Sequence, residues 1–260
     1  MSLTCKGFDL IIVIGSLLSR NHSSAVEKMQ ACMQDGAKLI YLFTMEDPVF
    51  TPKSHFFSRY EVGSEEGVLA LLAKALLLHV KLPSSLQNYF DDLDEGYLSA
   101  ESNLGEEEIE EIQALYAKSK GALIWLGEDV VKHPQYNNCV RLAHAIAAHS
   151  HAVVYGASER TAILGDLDDV APLKSYDGTI VYKCLKQENE EAVLIGSAQF
   201  EIAAKVQHGV ALNVALNDEV YACTFVRDDS LKGTVALMPV SDVGQAYPYS
   251  VAKIVKAKVQ

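Results

Sequence analysis

The eight residues DLIIVIGS, Asp9 to Ser16, form an apolar run that stops at Gly15 and leads through a polar stretch into a helix-like segment. A strand buried on both faces reads as a continuous apolar run, so this is the opening of a nucleotide-fold β-α-β unit. The next segments fit that reading. Ser24 and Glu27 have capping-box spacing, Ala25 to Asp35 puts Val26, Met29 and Met33 on one helical face, and Gly36 supplies a stop. AKLIYLF, Ala37 to Phe43, is then a second buried strand.

Working outward, Thr44 to Phe57 is rich in Pro and Thr and predicts a loop. Gly63 to Val80 restarts a helix, with Ser64 and Glu65 suited to its N-terminus. Pro83 to Asn103, with the acidic run Asp91 to Glu95, reads as a surface connection. From Gly105 the pattern repeats. EEEIEEIQALYAKSK puts three glutamates at the positive end of a helix and Lys118 and Lys120 at its negative end, and Gly121 ends it. Ala122 to Gly127 is a strand, Pro134 suits a first helical turn, Val140 to Ala148 continues that helix, and Ala152 to Gly156 is the next strand. Past about residue 175 the apolar period becomes alternating, in TIVYKCL, AVLIG, ALNVALN, EVYACTFV and GTVALMPV, with Asn217-Asp218 as a turn. The fold class is therefore α/β: a Rossmann-like, mostly parallel sheet with flanking helices over residues 1–170, then a small β-barrel or β-sandwich over residues 171–260. Proteolytic nicking is expected between Leu164 and Gly178.

At 260 residues and 49% apolar content the chain can bury a sizeable core. A net charge of -12 with no basic patch argues against nucleic acid or an anionic membrane as partner. The five cysteines (Cys5, Cys32, Cys139, Cys184 and Cys223) are scattered, which predicts reduced thiols and a cytoplasmic protein. No secretory signal is read. Val68 to Leu82 is interrupted by Lys74, His79 and Lys81, short of the roughly 20 apolar residues that span a bilayer.

The order of these segments resembles the molybdopterin-oxidoreductase superfamily, and most closely the C-terminal region of the large iron-sulfur subunit of NADH-quinone oxidoreductase, respiratory complex I. The stretches that carry the likeness are Asp9 to Phe43, Val62 to Leu77, Leu104 to His149 and Ala198 to Asp242, with the Leu231-Lys232-Gly233 turn. Members that hold the pterin cofactor carry an Asn-Pro pair after the first strand, an Asp-Pro-Arg-Arg-Thr-like loop after the second, and Gly-Thr-Asp before the next helix. Here those places read Leu17-Leu18, Thr44-Met45-Glu46-Asp47-Pro48 and Gly63-Ser64-Glu65. A cofactor bearing phosphates needs amide donors and Arg or Lys, and Glu46 and Asp47 repel it. The family's cysteine clusters are missing as well. The resemblance thus implies a catalytically silent structural and assembly region. It would support iron-sulfur electron transfer carried outside this chain, on the cytoplasmic side of a membrane-bound complex, without direct membrane insertion or strong homo-oligomer. Its partners would be other peripheral-arm subunits and the iron-sulfur part of the same subunit. The alternative is a molybdopterin- or nucleotide-binding oxidoreductase fragment.

No catalytic, cofactor-binding or metal-ligating residue is assigned, and no cofactor. Gly15-Ser16 lacks the spaced glycines of a dinucleotide fingerprint. His22, behind Arg20 and Asn21, is the residue to watch in that loop, with hydrogen bonding at a helix start as its simpler role. Gly156 to Arg160, GASER, resembles a nucleophile elbow but ends in Arg160 where glycine is needed. His144, His149 and His151 lack the i, i+4 spacing that aligns two imidazoles. The acidic runs at Asp91 to Glu95 and Glu106 to Glu111 lack the pattern of a calcium loop. Trp125 reads as core.

Overall fold

A computed structural model describes residues 7–156, 165–217 and 219–257, apart from the side chain of Ser24. Two compact units are present, one of Met1–Thr44 with Val49–Ser175, the other of Met45–Pro48 with Tyr176–Gln260. Cys5, Ala157 to Arg160, Leu164 and Asp218 lie outside the described residues.

The first unit is built on five strands, β1 (Leu10–Ile14), β2 (Lys38–Phe43), β3 (Phe56–Arg59), β4 (Ala122–Leu126) and β5 (Ala152–Tyr155). They are all parallel, in the order β3-β2-β1-β4-β5. Alternation along each strand divides the apolar run between two faces. Leu10, Ile12 and Ile14, with Ile40, Leu42, Ala122, Ile124 and Leu126, share one core with residues of α3 (Glu65–Leu76), α6 (Glu106–Tyr116) and α8 (Tyr136–Ala148). Ile11, Val13, Leu39, Tyr41 and Phe43 point the other way and are equally buried. Helix α1 (Leu18–Asn21) and helix α2 (Ser23–Gln34) connect β1 to β2. At the end of α2, Gly36 at φ +101° lets its amide bond Met33 and the Ala37 amide bond Cys32. That is a Schellman stop, open to glycine because the left-handed conformation carries no Cβ penalty there.

Several expectations need correction. Ser24 lies inside α2, whose N-cap position falls on His22 and not on Ser24 as the capping-box spacing predicts. Phe56 and Phe57, read as loop, pair with β2 as the start of β3, after a 3-10 turn at Thr51–Lys53. Helix α6 ends at Tyr116, so Lys118 and Lys120 lie beyond its last turn. Pro134 precedes α8 by two residues, and the short helix α7 (Glu128–Val131) stands between it and β4. Cys32 is disulfide-bonded, against the expectation of reduced thiols throughout, while Cys139, Cys184 and Cys223 are buried and form no disulfide.

The largest correction concerns residues 83–103. They form two helices, α4 (Ser84–Asp91) and α5 (Glu95–Ser102), and bury Phe90 and Leu98 in the core against α3. The acidic run separates them: Asp94 accepts the Tyr97 amide at 3.0 Å as the N-cap of α5. Each helix sends only one large apolar side chain fully inward, too few to raise a periodic signal in eight residues. Leu98→Ala is therefore expected to cost about 3 kcal/mol in urea unfolding, from lost burial plus the cavity. The same truncation at exposed Leu78 should cost under about 0.5 kcal/mol. Equal small effects would contradict this packing.

The second unit is one seven-stranded mixed sheet, of β6 (Ile180–Leu185), β7 (Val193–Gly196), β8 (Ala211–Leu216), β9 (Glu219–Arg227), β10 (Val235–Val240), β11 (Tyr249–Val251) and β12 (Lys253–Lys256). The order is β11-β6-β10-β7-β9-β8-β12. The two edge strands are separated only by Ala252, so the sheet must curl until its edges meet end to end, a half-barrel in place of a two-sheet sandwich. Val181, Leu194, Leu212, Val214, Phe225 and Met238 fill its concave core. Helix α9 (Ala198–Ala204), β11 and β12 are not apparent from alternation. Helix α9 is capped by Ser197, which accepts the Phe200 amide at 3.0 Å.

Candidate functional site

In an open parallel sheet, ligands bind outside the carboxyl ends of the strands where the strand order reverses. Here that point lies between β1 and β4. Two glycines bring their loops together. Gly15, at φ +69°, donates its amide to the Leu42 carbonyl at 3.1 Å, and its own carbonyl accepts the Asp129 amide at 3.0 Å. Gly127 has ordinary φ, but a Cβ on it would stand 2.0 Å from the Gly15 carbonyl oxygen and 2.4 Å from Ser16 Cβ. These glycines serve close contact between the two loops.

After Gly15 the chain buries Leu17 and Leu18 and turns straight into α1. Tyr41 supports the turn by donating its hydroxyl to the Ser16 carbonyl at 2.5 Å. The side chains beyond it converge on Glu128. Ser16 Oγ donates to its Oε2 at 2.8 Å, His22 Nε2 lies 2.8 Å from the same oxygen, and Asn21 Nδ2 donates to Oε1. His22 also stands edge-on to Trp125, ring centres 5.4 Å apart, and Trp125 packs on Tyr155 at 5.1 Å. Burial alone would raise the Glu128 carboxyl, but the hydrogen bond and charge of His22, with the Asn21 bond, bring it down to about 2.

A second group lies beside it. Tyr60 donates to Glu65 Oε1 at 3.4 Å, and burial, then the charges of Glu65 and Asp129, push its hydroxyl well up. His133 Nδ1 accepts the Gln135 amide at 3.1 Å, so the ring proton sits on Nε2, 3.2 Å from the Gly63 carbonyl and 3.6 Å from Glu65 Oε2. Glu65 and Asp129 are fully buried.

His22, singled out in the sequence, is thus a partner of a carboxylate that sequence reasoning misses. Its only signal is Gly127-Glu128 directly after a strand. Trp125 is core, as expected. Glu46 pairs with Lys232 at 3.5 Å and Asp47 is buried, both within the second unit. Ser64 is the N-cap of α3, but its hydroxyl donates back to the Glu61 carbonyl at 2.7 Å. His151 stacks on Tyr116 at 4.4 Å and meets Ser119 Oγ at 2.8 Å, whereas His149 ends α8 and His144 lies within it. Among the described residues no group of three His, Cys, Asp or Glu could hold a metal ion.

The residues present do not fit a pterin cofactor bearing phosphates. Such a group requires cationic and amide donors, whereas the crevice presents a carboxylate held ionised and takes up its own donors internally.

No family model matches the chain, and no curated protein matches it. Among solved structures it is similar to acetylene hydratase from Pelobacter acetylenicus, with 14% identity and a TM-score of 0.42. The likeness covers 56% of this chain and 21% of that one, so the chain spans about a fifth of that protein's length.

Proposed function

We propose that this chain is a catalytically silent structural and assembly region of the large iron-sulfur subunit of an NADH-quinone oxidoreductase, its electron transfer carried by clusters outside this chain. The sequence resemblance supplies the family. The observation that carries the silence is Glu128, whose carboxylate occupies the crevice between β1 and β4 and takes up Ser16, Asn21 and His22, polar side chains of the loop that would have to face a phosphate-bearing cofactor. A fold kept without such chemistry contributes through contact. The partners in this reading are the iron-sulfur part of the same subunit and neighbouring peripheral-arm subunits, on the cytoplasmic side of the complex. No helix among the described residues is long and apolar enough to cross a membrane.

A surface suited to such contact lies on the outward face of β9, β8 and β12. Register puts Val220 beside Ala215 and Lys253, and Ala222 beside Asn213 and Val255, with Val220 68% and Val255 49% exposed. A double change, Val220→Glu with Val255→Glu, is expected to lower the yield of assembled complex several-fold while leaving the chain's own melting temperature within a few degrees. Turnover per assembled particle should be unchanged. Normal assembly with abolished turnover after deletion of the whole segment would instead identify an active cofactor domain.

A further inference from the structure

Residues 166–173 have no helix or strand hydrogen bonds of their own, yet they are held by side chains of α3, α5 and α8. Asn138 grips one residue from both sides: its Nδ2 donates to the Asp168 carbonyl at 2.8 Å and its Oδ1 accepts the Asp168 amide at 3.0 Å. Glu66 Oε2 accepts the Ala171 amide at 3.1 Å, and its Oε1 accepts from Asn138 at 2.8 Å. Tyr97 Oη accepts the Leu173 amide at 2.9 Å, and Arg141 Nη1 donates to the Asp166 carbonyl at 3.0 Å. Every one of these contacts with the segment addresses its main chain. Glu66 and Asn138 are almost completely buried, and burial raises the Glu66 carboxyl, a cost the two donors offset in part.

Side-chain selection is added at four places. Leu167 and Val170 pack on the core, the Asp168 carboxylate meets Arg141 Nη1 at 2.8 Å, and Leu173 packs on the core over Gly67. A Cβ at Gly67 would stand 3.0 Å from Leu173 Cδ1, so that glycine makes the room. Main-chain hydrogen bonds for affinity and spaced side-chain sites for specificity are how proteins recognise peptides in irregular or extended form.

We propose that this face of α3, α5 and α8 is a peptide-recognition groove, occupied here by the chain's own segment and able to receive a partner's segment of the same pattern. The pattern is an acidic residue with an apolar residue directly before it and apolar residues two and five positions after it. The tethered segment competes at an effective concentration on the order of millimolar, so a peptide in trans binds appreciably only once the segment is displaced. The groove stands independently of the assembly role.

The test uses the full chain and a fluorescent peptide, GDLDDVAPLKS, copied from Gly165 to Ser175. Ala171→Pro with Leu173→Asp releases the segment by removing an amide donor and an apolar anchor, and alters no groove residue. Fluorescence anisotropy should show the released chain binding at least about tenfold more tightly than the unaltered chain, and Asn138→Ala in the released background weakening binding by about tenfold. As a second measurement, millimolar unlabelled peptide should speed hydrogen exchange at the Asp168, Ala171 and Leu173 amides of the unaltered chain, which covers the case of a released chain that fails to fold. No saturable binding by a folded released chain, binding indifferent to Asn138, or unchanged exchange under competition would overturn the proposal. So would a dimer formed by exchange of the segment between two copies in place of peptide binding.

Discussion

Glu128→Ala is expected to lower the unfolding free energy by about 3 kcal/mol, the cost of removing the shared acceptor from a partly buried ionic network. Ser16, Asn21 and His22 would each lose the acceptor they now share. The pH dependence is the sharper test. The carboxyl is about 2 in the folded chain against an ordinary 4.5, so the folded state holds its proton less tightly than the unfolded state. Its stabilisation is therefore complete above the ordinary value and is lost as pH falls from there toward 2. By the size of that displacement, roughly 3 kcal/mol separates the two limits. Urea unfolding of the native chain and of Glu128→Gln, measured from about pH 7 down to about pH 2.5, should give curves that lie apart at neutral pH and converge in acid. A constant gap across that range would mean that Glu128 is not ionised through its partners.

Gly127→Ala is expected to cost at least about 3 kcal/mol, at or beyond the upper end for overpacking, because the added Cβ meets backbone that cannot turn aside. Its φ of -80° suits any residue, so the penalty is purely one of space: 2.0 Å to the Gly15 carbonyl oxygen. Gly36→Ala makes the control. It sits at φ +101° with nothing within 4 Å of its would-be Cβ, so only backbone strain of about 1–2 kcal/mol remains. A thermal melt of the two variants side by side reads the difference directly. Similar small shifts would show that the loops after β1 and β4 are not locked together.

The fold is legible where one element carries a full period. LIIVI, KLIYLF and ALIWL announce themselves because strands buried on both faces contain little but apolar residues. Gly36 marks the end of α2 because a left-handed stop favours that residue. The short elements leave little trace: α4 and α5 each anchor through one large buried side chain, and β11 and β12 are three and four residues long. The candidate site is half legible. His22 stands out by its neighbours Arg20 and Asn21, whereas Glu128 is marked only by its place directly after a strand.

By itself the sequence determined the parallel α/β sheet, the change to alternating strands near Tyr176, and the net acidity, because these follow from local period and from charge. Only the tertiary structure decided what fills the crevice. Glu128 is 106 residues from His22 and 112 from Ser16, and no local pattern joins them. They meet because β1 and β4 are neighbours in register, and that pairing results from the whole sheet burying its two faces at once.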